Sequence, residues 1–443
     1  MANARELALQ TLTDILVDGA YSNHALSEHI EKNELTVQDK NFMTELVYGT
    51  LQHEQLLNFY ATPFFNGKVK AWIRILIQMT LYQMLFLDSV PEHAAISEAV
   101  KIAKKRGGQF NGKLVNAILR EMTRTPLPSL DSIKDEAERL AIETSHPLWL
   151  IKLWSKQFGW EKTKQMARAN NERVQVTIRV NRVRGTKEEL KQKLEAEGII
   201  VADGNLSEDA LVILKGNVIK TKAFEQGWFY VQDESSMLVA RALKPKHHSK
   251  VLDTCSAPGG KTTHVAELMR QTGTVYAHDV YEHKIKLIED NVKRLGLTNV
   301  VATLQDATTL DARYEAESFD SVLVDAPCSG LGILRRHPEV KITKQPSDLD
   351  EIMQIQEKIL NTVASLVKKG GTLVYSTCTV NRKENDKMIE KFLANHEDYE
   401  LDQSLEERLP HCLSEQTKKG MVQLFPGDYQ TDGFFIACLK RRL

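Results

Sequence analysis

The stretch V-L-D-T-C-S-A-P-G-G-K-T, residues 251–262, decides how the C-terminal half of the chain folds. Val251 to Asp253 is a short apolar run with the composition of a buried strand, and the Gly-rich turn after it opens a helix from Gly260 to Arg270. Glycine lets backbone approach a ligand closely, and the helix N-terminus behind the turn favours negative charge. The turn misses the phosphate-binding pattern G-x-x-x-x-G-K-[ST] by one residue, because Cys255 stands where the first Gly belongs. Val322 to Asp325 would pass for the companion strand of such a site, so a P-loop nucleotide hydrolase is a rival reading.

Outward from this turn, strands alternate with helices. Thr274 to His278, Val300 to Leu304, Asp320 to Val324, Leu373 to Tyr375 and Phe434 to Cys438 read as strands. Glu282 to Leu295 reads as a helix closed by Gly296, and Lys383 to Leu393 as another. A long helix is expected from an N-cap at Ser347 to a stop at Gly370-Gly371, with Ile352, Ile355, Ile359, Val363 and Leu366 along one face. The order predicts a doubly wound α/β sheet, whose ligand crevice lies at the C-terminal ends of its strands.

Three acids fall at those ends. Asp279 closes the second strand, eighteen residues after Lys261, where an acid accepts hydrogen bonds from ribose hydroxyls. Asp306, in Q-D-A-T, is placed to accept from the exocyclic amine of an adenine, and Asp325 ends the fourth strand. A lone Asp is more often a turn or helix cap. Together the three suit a ligand with a sugar, a base and a positive charge, which describes S-adenosylmethionine better than ATP.

Two thiols share the same rim: Cys328 in V-D-A-P-C-S-G-L-G (324–332) and Cys378 in Y-S-T-C-T-V (375–380). A thiol at a ligand crevice can act as the nucleophile of covalent catalysis when it is activated. A carboxyl group beside it can hold or move a proton, and Asp325 is three residues from Cys328. The residues alone leave open which thiol attacks. The remaining cysteines, Cys255, Cys412 and Cys438, make no C-x-x-C pair with these, which argues against a zinc site and leaves no metal expected.

The first 125 residues show helical periodicity and no convincing strand, with helices over Ala4 to Val17, Asp39 to Leu51, Trp72 to Leu87, Ala94 to Lys105 and Lys113 to Met122. Trp72 to Leu87 is the most apolar of them, but Arg74, Gln78 and Gln83 make it a buried helix rather than a membrane span. Thr125-Pro-Leu-Pro-Ser129 begins a linker that runs to residue 145. From 146 to 245 a small α+β domain is expected, with strands at Val174 to Val180, Ala210 to Leu214 and Trp228 to Val231 and a helix at Thr186 to Glu197. Ten basic residues against two acidic ones lie between Leu150 and Lys187, interleaved with Trp154, Phe158 and Trp160. That mixture grips phosphates and stacks bases, or is simply a solvated helix face over an aromatic core.

C-S-A-P-G-G-K-T, H-D-V at 278–280, Q-D-A-T, V-D-A-P-C-S-G-L-G and Y-S-T-C-T resemble the ordered motif set of RNA cytosine-5 methyltransferases of the Sun/Nol1/Nop2 family. Residues 1–125 resemble a NusB-type RNA-binding bundle. His146-Pro-Leu-Trp149 and R-V-N at 179–181 resemble the domain that precedes the catalytic one in the bacterial subgroup. The resemblance implies a NusB-like bundle, an α+β domain and, over 246–443, a Rossmann-like methyltransferase domain. It implies S-adenosylmethionine bound by Cys255, Ser256, Ala257, Pro258, Gly259, Gly260, Lys261, Asp279, Asp306 and Asp325. It also implies Cys378 as nucleophile, Cys328 as the residue that aids product release, and position 967 of 16S ribosomal RNA as target.

The formal net charge of −1 neither favours nor excludes a polyanionic partner. The partner expected is ribosomal RNA, naked or in an early precursor, met by a monomer with no membrane association, in the cytoplasm. A non-catalytic RNA-binding factor would explain the bundle but has no use for Cys378. An amino-methyltransferase usually carries [DNS]-P-P-[YF] where this chain has D-A-P-C.

Overall fold

The computed structural model describes residues 3–443. They divide into two units, the first made of the residues up to Glu172 together with Leu334–Lys344, the second of Arg173–Ile333 and Gln345–Leu443.

The first unit is helical. Ala4–Leu16, Val37–Gln52 and Ala71–Phe86 fall within a residue or two of the helices that periodicity predicts, and Ser22–Glu31 and Glu54–Ala61 are added between them. The two helices expected after Ala94 are one element, Glu92–Arg124, broken at Gly108, whose φ of 81° only glycine adopts without strain. Leu9, Leu12, Leu46, Leu76 and Leu119 are fully buried in the bundle core, each contributing roughly 1.5–3 kcal/mol over an exposed position. The polar residues of Ala71–Phe86 are satisfied inside it: Gln83 accepts from Arg5 Nε at 2.7 Å and donates to the Met79 carbonyl at 3.0 Å. Among the described residues no helix is long and apolar enough to cross a membrane.

Leu334–Lys344 follows the V-D-A-P-C-S-G-L-G motif, yet it packs in this helical unit. Ile342 joins the bundle core. The buried Lys341 amine donates to Asn171 Oδ1 at 2.7 Å and to the carbonyls of Gln52 and Thr144, each at 3.4 Å.

The second unit holds two sheets. The smaller is antiparallel, in the order β2 (Ile200–Asp203), β3 (Ala210–Lys215), β1 (Val176–Val180), β4 (Phe229–Val231), with the helix Lys187–Ala196 packed on it. The larger is built on β5 (Lys250–Asp253), β6 (Thr274–Asp279), β7 (Val300–Leu304), β8 (Phe319–Asp325) and β9 (Val367–Thr377), parallel in the order β9-β8-β5-β6-β7. Beyond β9 lie β10 (Tyr399–Leu401), β11 (Thr417–Lys418), β12 (Met421–Leu424) and β13 (Phe434–Arg441), with β13 antiparallel to β9. The chain runs outward from β5 through β6 to β7 and then crosses back to the other side of β5 for β8 and β9, so the sheet's switch point, where such folds bind ligands, lies beside the 254–259 turn.

Two expected boundaries move. The long helix is Pro346–Ala364, with Gln345 as cap in a capping box with Asp348, so Ser347 sits inside the first turn. It ends before the glycine pair because Val367 already pairs with Phe319, and Gly370 and Gly371 lie within β9. The sheet's hydrogen bonds outweigh the glycine stop signal here.

The basic tract between Leu150 and Lys187 is not one surface. It crosses from the first unit to the second at Glu172, and Trp154 is buried. Arg179 is also fully buried: it donates to the Gly260 carbonyl at 2.7 Å, Thr263 Oγ1 at 3.0 Å and Glu267 at 2.8 Å, and also to Gln232. Asn181 donates to the Gly227 and Leu295 carbonyls. Arg179 therefore fastens β1 to the helix that the Gly-rich turn opens, and Asn181 ties the end of β1 to the last residue of the helix Glu282–Leu295.

Candidate active site at the strand tips

The tips of β5, β8 and β9 carry the reactive groups. Gly259 takes a φ of 101° to start the helix Gly260–Leu268, which aims Lys261 back across the sheet. Lys261 Nζ meets Asp325 Oδ2, at the end of β8, at 2.7 Å, and Ser376 Oγ from β9 donates to Asp325 Oδ1 at 2.7 Å. Burial works against the Lys261 charge, but Asp325 beside it holds the ammonium above its ordinary range.

The two motif thiols come together: Cys328 Sγ and Cys378 Sγ are 3.2 Å apart, and both are free. Their loops are laced to each other. Ser329 Oγ pairs with Thr379 Oγ1 at 2.7 Å, and Gly332 donates its N–H to the Cys378 carbonyl at 3.0 Å. A Cβ on Gly332 would lie 2.1 Å from the Gly433 carbonyl oxygen, so only glycine permits this approach. The hydrogen bond with Cys378, burial and the nearby Glu384 all push the Cys328 thiol well up. Burial likewise takes the Cys255 thiol, in the Gly-rich turn, up to about 12.

Beside the lysine lies a pocket of about 170 Å³ lined by Cys255, Ser256, Ala257, Pro258, Gly260, Lys261 and Asp325. Asp253, Tyr230, Gln232 and Ser236 line it too, and sequence reasoning passed over them. Asp253 looked like the end of a strand, and the other three belong to the segment just before the sheet. Asp253 is buried, with Oδ2 accepting from Thr262 Oγ1 at 2.6 Å and Oδ1 without a protein partner. Burial raises its carboxyl to about 7. Asp279 is buried at the adjoining corner, accepting from the Ala257 and Tyr281 N–H groups at 3.4 and 3.3 Å. Asp306 is exposed and caps the turn 307–312 through Thr308 N–H at 2.8 Å. Among the described residues no three metal-ligating side chains converge.

A Gly-rich turn at the switch point of this sheet, with a nucleoside-type carboxylate on the next strand, defines a Rossmann-like, S-adenosylmethionine-dependent methyltransferase domain, and residues 240–440 match the family model "16S rRNA methyltransferase RsmB/F". Residues 2–124 match the NusB family and 146–220 the ferredoxin-like domain of RsmF/B-like methyltransferases. The probable ribosomal RNA small subunit methyltransferase B of Bacillus subtilis (strain 168) is 46% identical over 442 residues, covering 99% of each chain. That of Synechocystis is 34% identical over 100% of each. The crystal structure of PH0851 superposes with a TM-score of 0.82 at 27% identity, over 100% of this chain and 99% of that one. A methyltransferase homologue from Pyrococcus horikoshii gives 0.60 at 27% identity, over 70% and 100%. The chain belongs to the ribosomal RNA small subunit methyltransferase B family. The pocket suits the family's cofactor, because a buried, unpartnered Asp253 oxygen is what a cationic sulfonium compound would neutralise.

Proposed function

We propose that the protein methylates C5 of one cytosine in small-subunit ribosomal RNA, at position 967 of the 16S molecule, through a covalent bond between Cys378 and C6. The observation that carries this reading is the pair of thiols 3.2 Å apart beside a lysine–carboxylate pair, an arrangement that transfer to an exocyclic amine would not need. When bound, S-adenosylmethionine supplies an electrophilic methyl group, held by the 255–261 turn, Asp253 and Asp279. Asp306, exposed and capping its own turn through the Thr308 N–H, would accept from the adenine amine of that ligand.

Cys378 adds to C6, which makes C5 nucleophilic. The proton lost by the Cys378 thiol goes to N3 as the electrons shift there, and Asp325 accepts a hydrogen bond from the N3–H so formed, its orientation fixed by Lys261 and Ser376. After transfer water takes the C5 proton, the released electron pair re-forms the C5–C6 double bond as the Cys378–C6 bond breaks, and Cys328, 3.2 Å away, gives its S–H proton to the departing thiolate. The NusB-like bundle over 1–125 and the α+β domain over 146–245 bring the RNA, naked or in an early precursor, to a monomeric enzyme in the cytoplasm. Both families of domain support that reading.

Bisulfite sequencing of small-subunit RNA from cells with and without the gene tests base, atom and site together. One protected cytosine that is lost with the gene is the expected result. An unchanged pattern, with methyl transfer found on another base, would defeat the reading.

A further inference from the structure

Glu384 lies in N-R-K-E-N (381–385), just past the Cys378 motif, with no exposed surface. Its two oxygens accept from four neutral donors. Oε2 takes the Ser329 N–H at 2.9 Å and Gln356 Nε2 at 3.1 Å, and Oε1 takes Ser329 Oγ at 2.5 Å and Asn381 Nδ2 at 3.0 Å. Ser329 is the neighbour of Cys328, and its hydroxyl also meets Thr379, the neighbour of Cys378. Gln356 donates in addition to the Pro327 carbonyl at 2.9 Å, and Tyr375 donates its hydroxyl to the Glu384 carbonyl at 2.8 Å. One buried carboxylate is thus the knot in which both cysteine loops, the helix Pro346–Ala364 and β9 are tied.

Four neutral donors solvate a carboxylate without cancelling its charge. That charge acts on Cys328, whose thiol it helps to raise. On the other side of the pair, Lys261 is held by Asp325, which also accepts from Ser376, two residues before Cys378. The two sulfurs are 3.2 Å apart, but the field across them is not symmetric.

We infer that Glu384 is the positioning residue that makes the two thiols unequal, fixing Cys328 beside Cys378 and setting a negative charge on the Cys328 side while Lys261 stands on the Cys378 side. Cys328 is thereby kept as the S–H donor toward the other sulfur, which leaves Cys378 as the sulfur that attacks. This rests on the assignment of roles proposed above and supplies its physical origin.

The test is the pH profile of iodoacetamide alkylation at each cysteine, read at low conversion by peptide mass spectrometry on the full-length protein. In the wild type Cys378 reacts at lower pH than Cys328, and equal or reversed profiles overturn the inference without any variant being needed. In Glu384→Gln the Cys328 profile moves down by about 1 pH unit, the lower end of what a neighbouring charge does, while Cys378 stays in place. Ser329→Ala removes one hydrogen bond and leaves the charge, so its Cys328 profile stays within about 0.3 unit of the wild type on the same scale. Parallel movement of both thiols in Glu384→Gln, as general loosening would give, or no movement at all, overturns the inference. The assay contains neither RNA nor cofactor, so it reads the same whether or not the chain methylates cytosine.

Discussion

Each unit of the molecule buries a lysine, and the two lysines behave in opposite ways. In the strand-tip unit Lys261 has Asp325 at 2.7 Å, and the carboxylate outweighs burial and raises the ammonium. In the helical unit Lys341 meets, among the described residues, the oxygens of Gln52, Thr144 and Asn171 and no carboxylate, and burial pushes its amine well below the ordinary 10.5. Burial is common to both, so the difference lies in whether a carboxylate accompanies the amine. Lys261 is held as a cation beside the paired thiols, and Lys341 ties down the segment 334–344 with its amine pushed toward the neutral form.

The largest effect should come from the residue that the charged lysine serves. Cys378→Ala should lower single-turnover methyl transfer to rRNA by about 10⁴-fold or more, as loss of a covalent nucleophile does. Residual transfer within tenfold of the wild type would remove Cys378 from the chemistry. Lys261→Met keeps the packing and deletes the charge. It should cost about 10²-fold in turnover, the scale of a single preorganised charge-stabilising group, with little change in melting temperature. A large loss of stability with normal turnover would place Lys261 in the same class as Lys341.

For Lys341 the reverse holds, and its effect is on stability. Its folded-state pKa is depressed, so below about 10.5 the unfolded chain takes up a proton that the folded unit does not. Wild-type stability therefore rises with pH toward that value, by up to about 1.4 kcal/mol per pH unit. Lys341→Met has no such slope, and denaturant titrations of both proteins at pH 8 and 10 should show the gap shifting in favour of the wild type at pH 10. A constant gap would mean that the amine is charged in place.

The smallest effect concerns Asp253. Its carboxyl is raised to about 7, so the folded protein holds this proton where the unfolded chain has lost it. Its contribution to stability is present at acid pH and is lost as pH rises toward 7. The ionised form is the one that suits a cationic cofactor. Calorimetric affinity for S-adenosylmethionine should increase several-fold from pH 6 to 8 and flatten in Asp253→Asn.

The contrast also marks what could be read in the sequence. Periodicity placed the bundle helices, and strand-helix alternation placed the parallel sheet, because both signals are local. Motif order brought Lys261, Asp325, Cys328 and Cys378 to one rim, as the structure has them. What stayed hidden depends on partners far away in the chain. Lys341 looks like any loop lysine until Gln52, Thr144 and Asn171 surround it. Arg179 reads only as one of ten basic residues in a tract that is either phosphate-binding or a solvated face, because nothing in the sequence shows that it will meet Glu267. Glu384 read as part of a helix start, and its bonds to Ser329 lie 55 positions back. The glycine pair 370–371 misled for the same reason, since the strand pairing that overrides it comes from Phe319.

The assignment of the two thiols is tested most directly by trapping. RNA carrying 5-azacytidine at the target position is incubated with each variant and S-adenosylmethionine, and covalent protein–RNA product is read as a shifted band on a denaturing gel. The wild type should trap the analogue and Cys378→Ala should not. Cys328→Ala should accumulate an adduct even on unmodified cytosine, because bond formation is intact and release is slowed. An adduct on unmodified RNA from Cys378→Ala but not from Cys328→Ala would reverse the two roles and contradict the account.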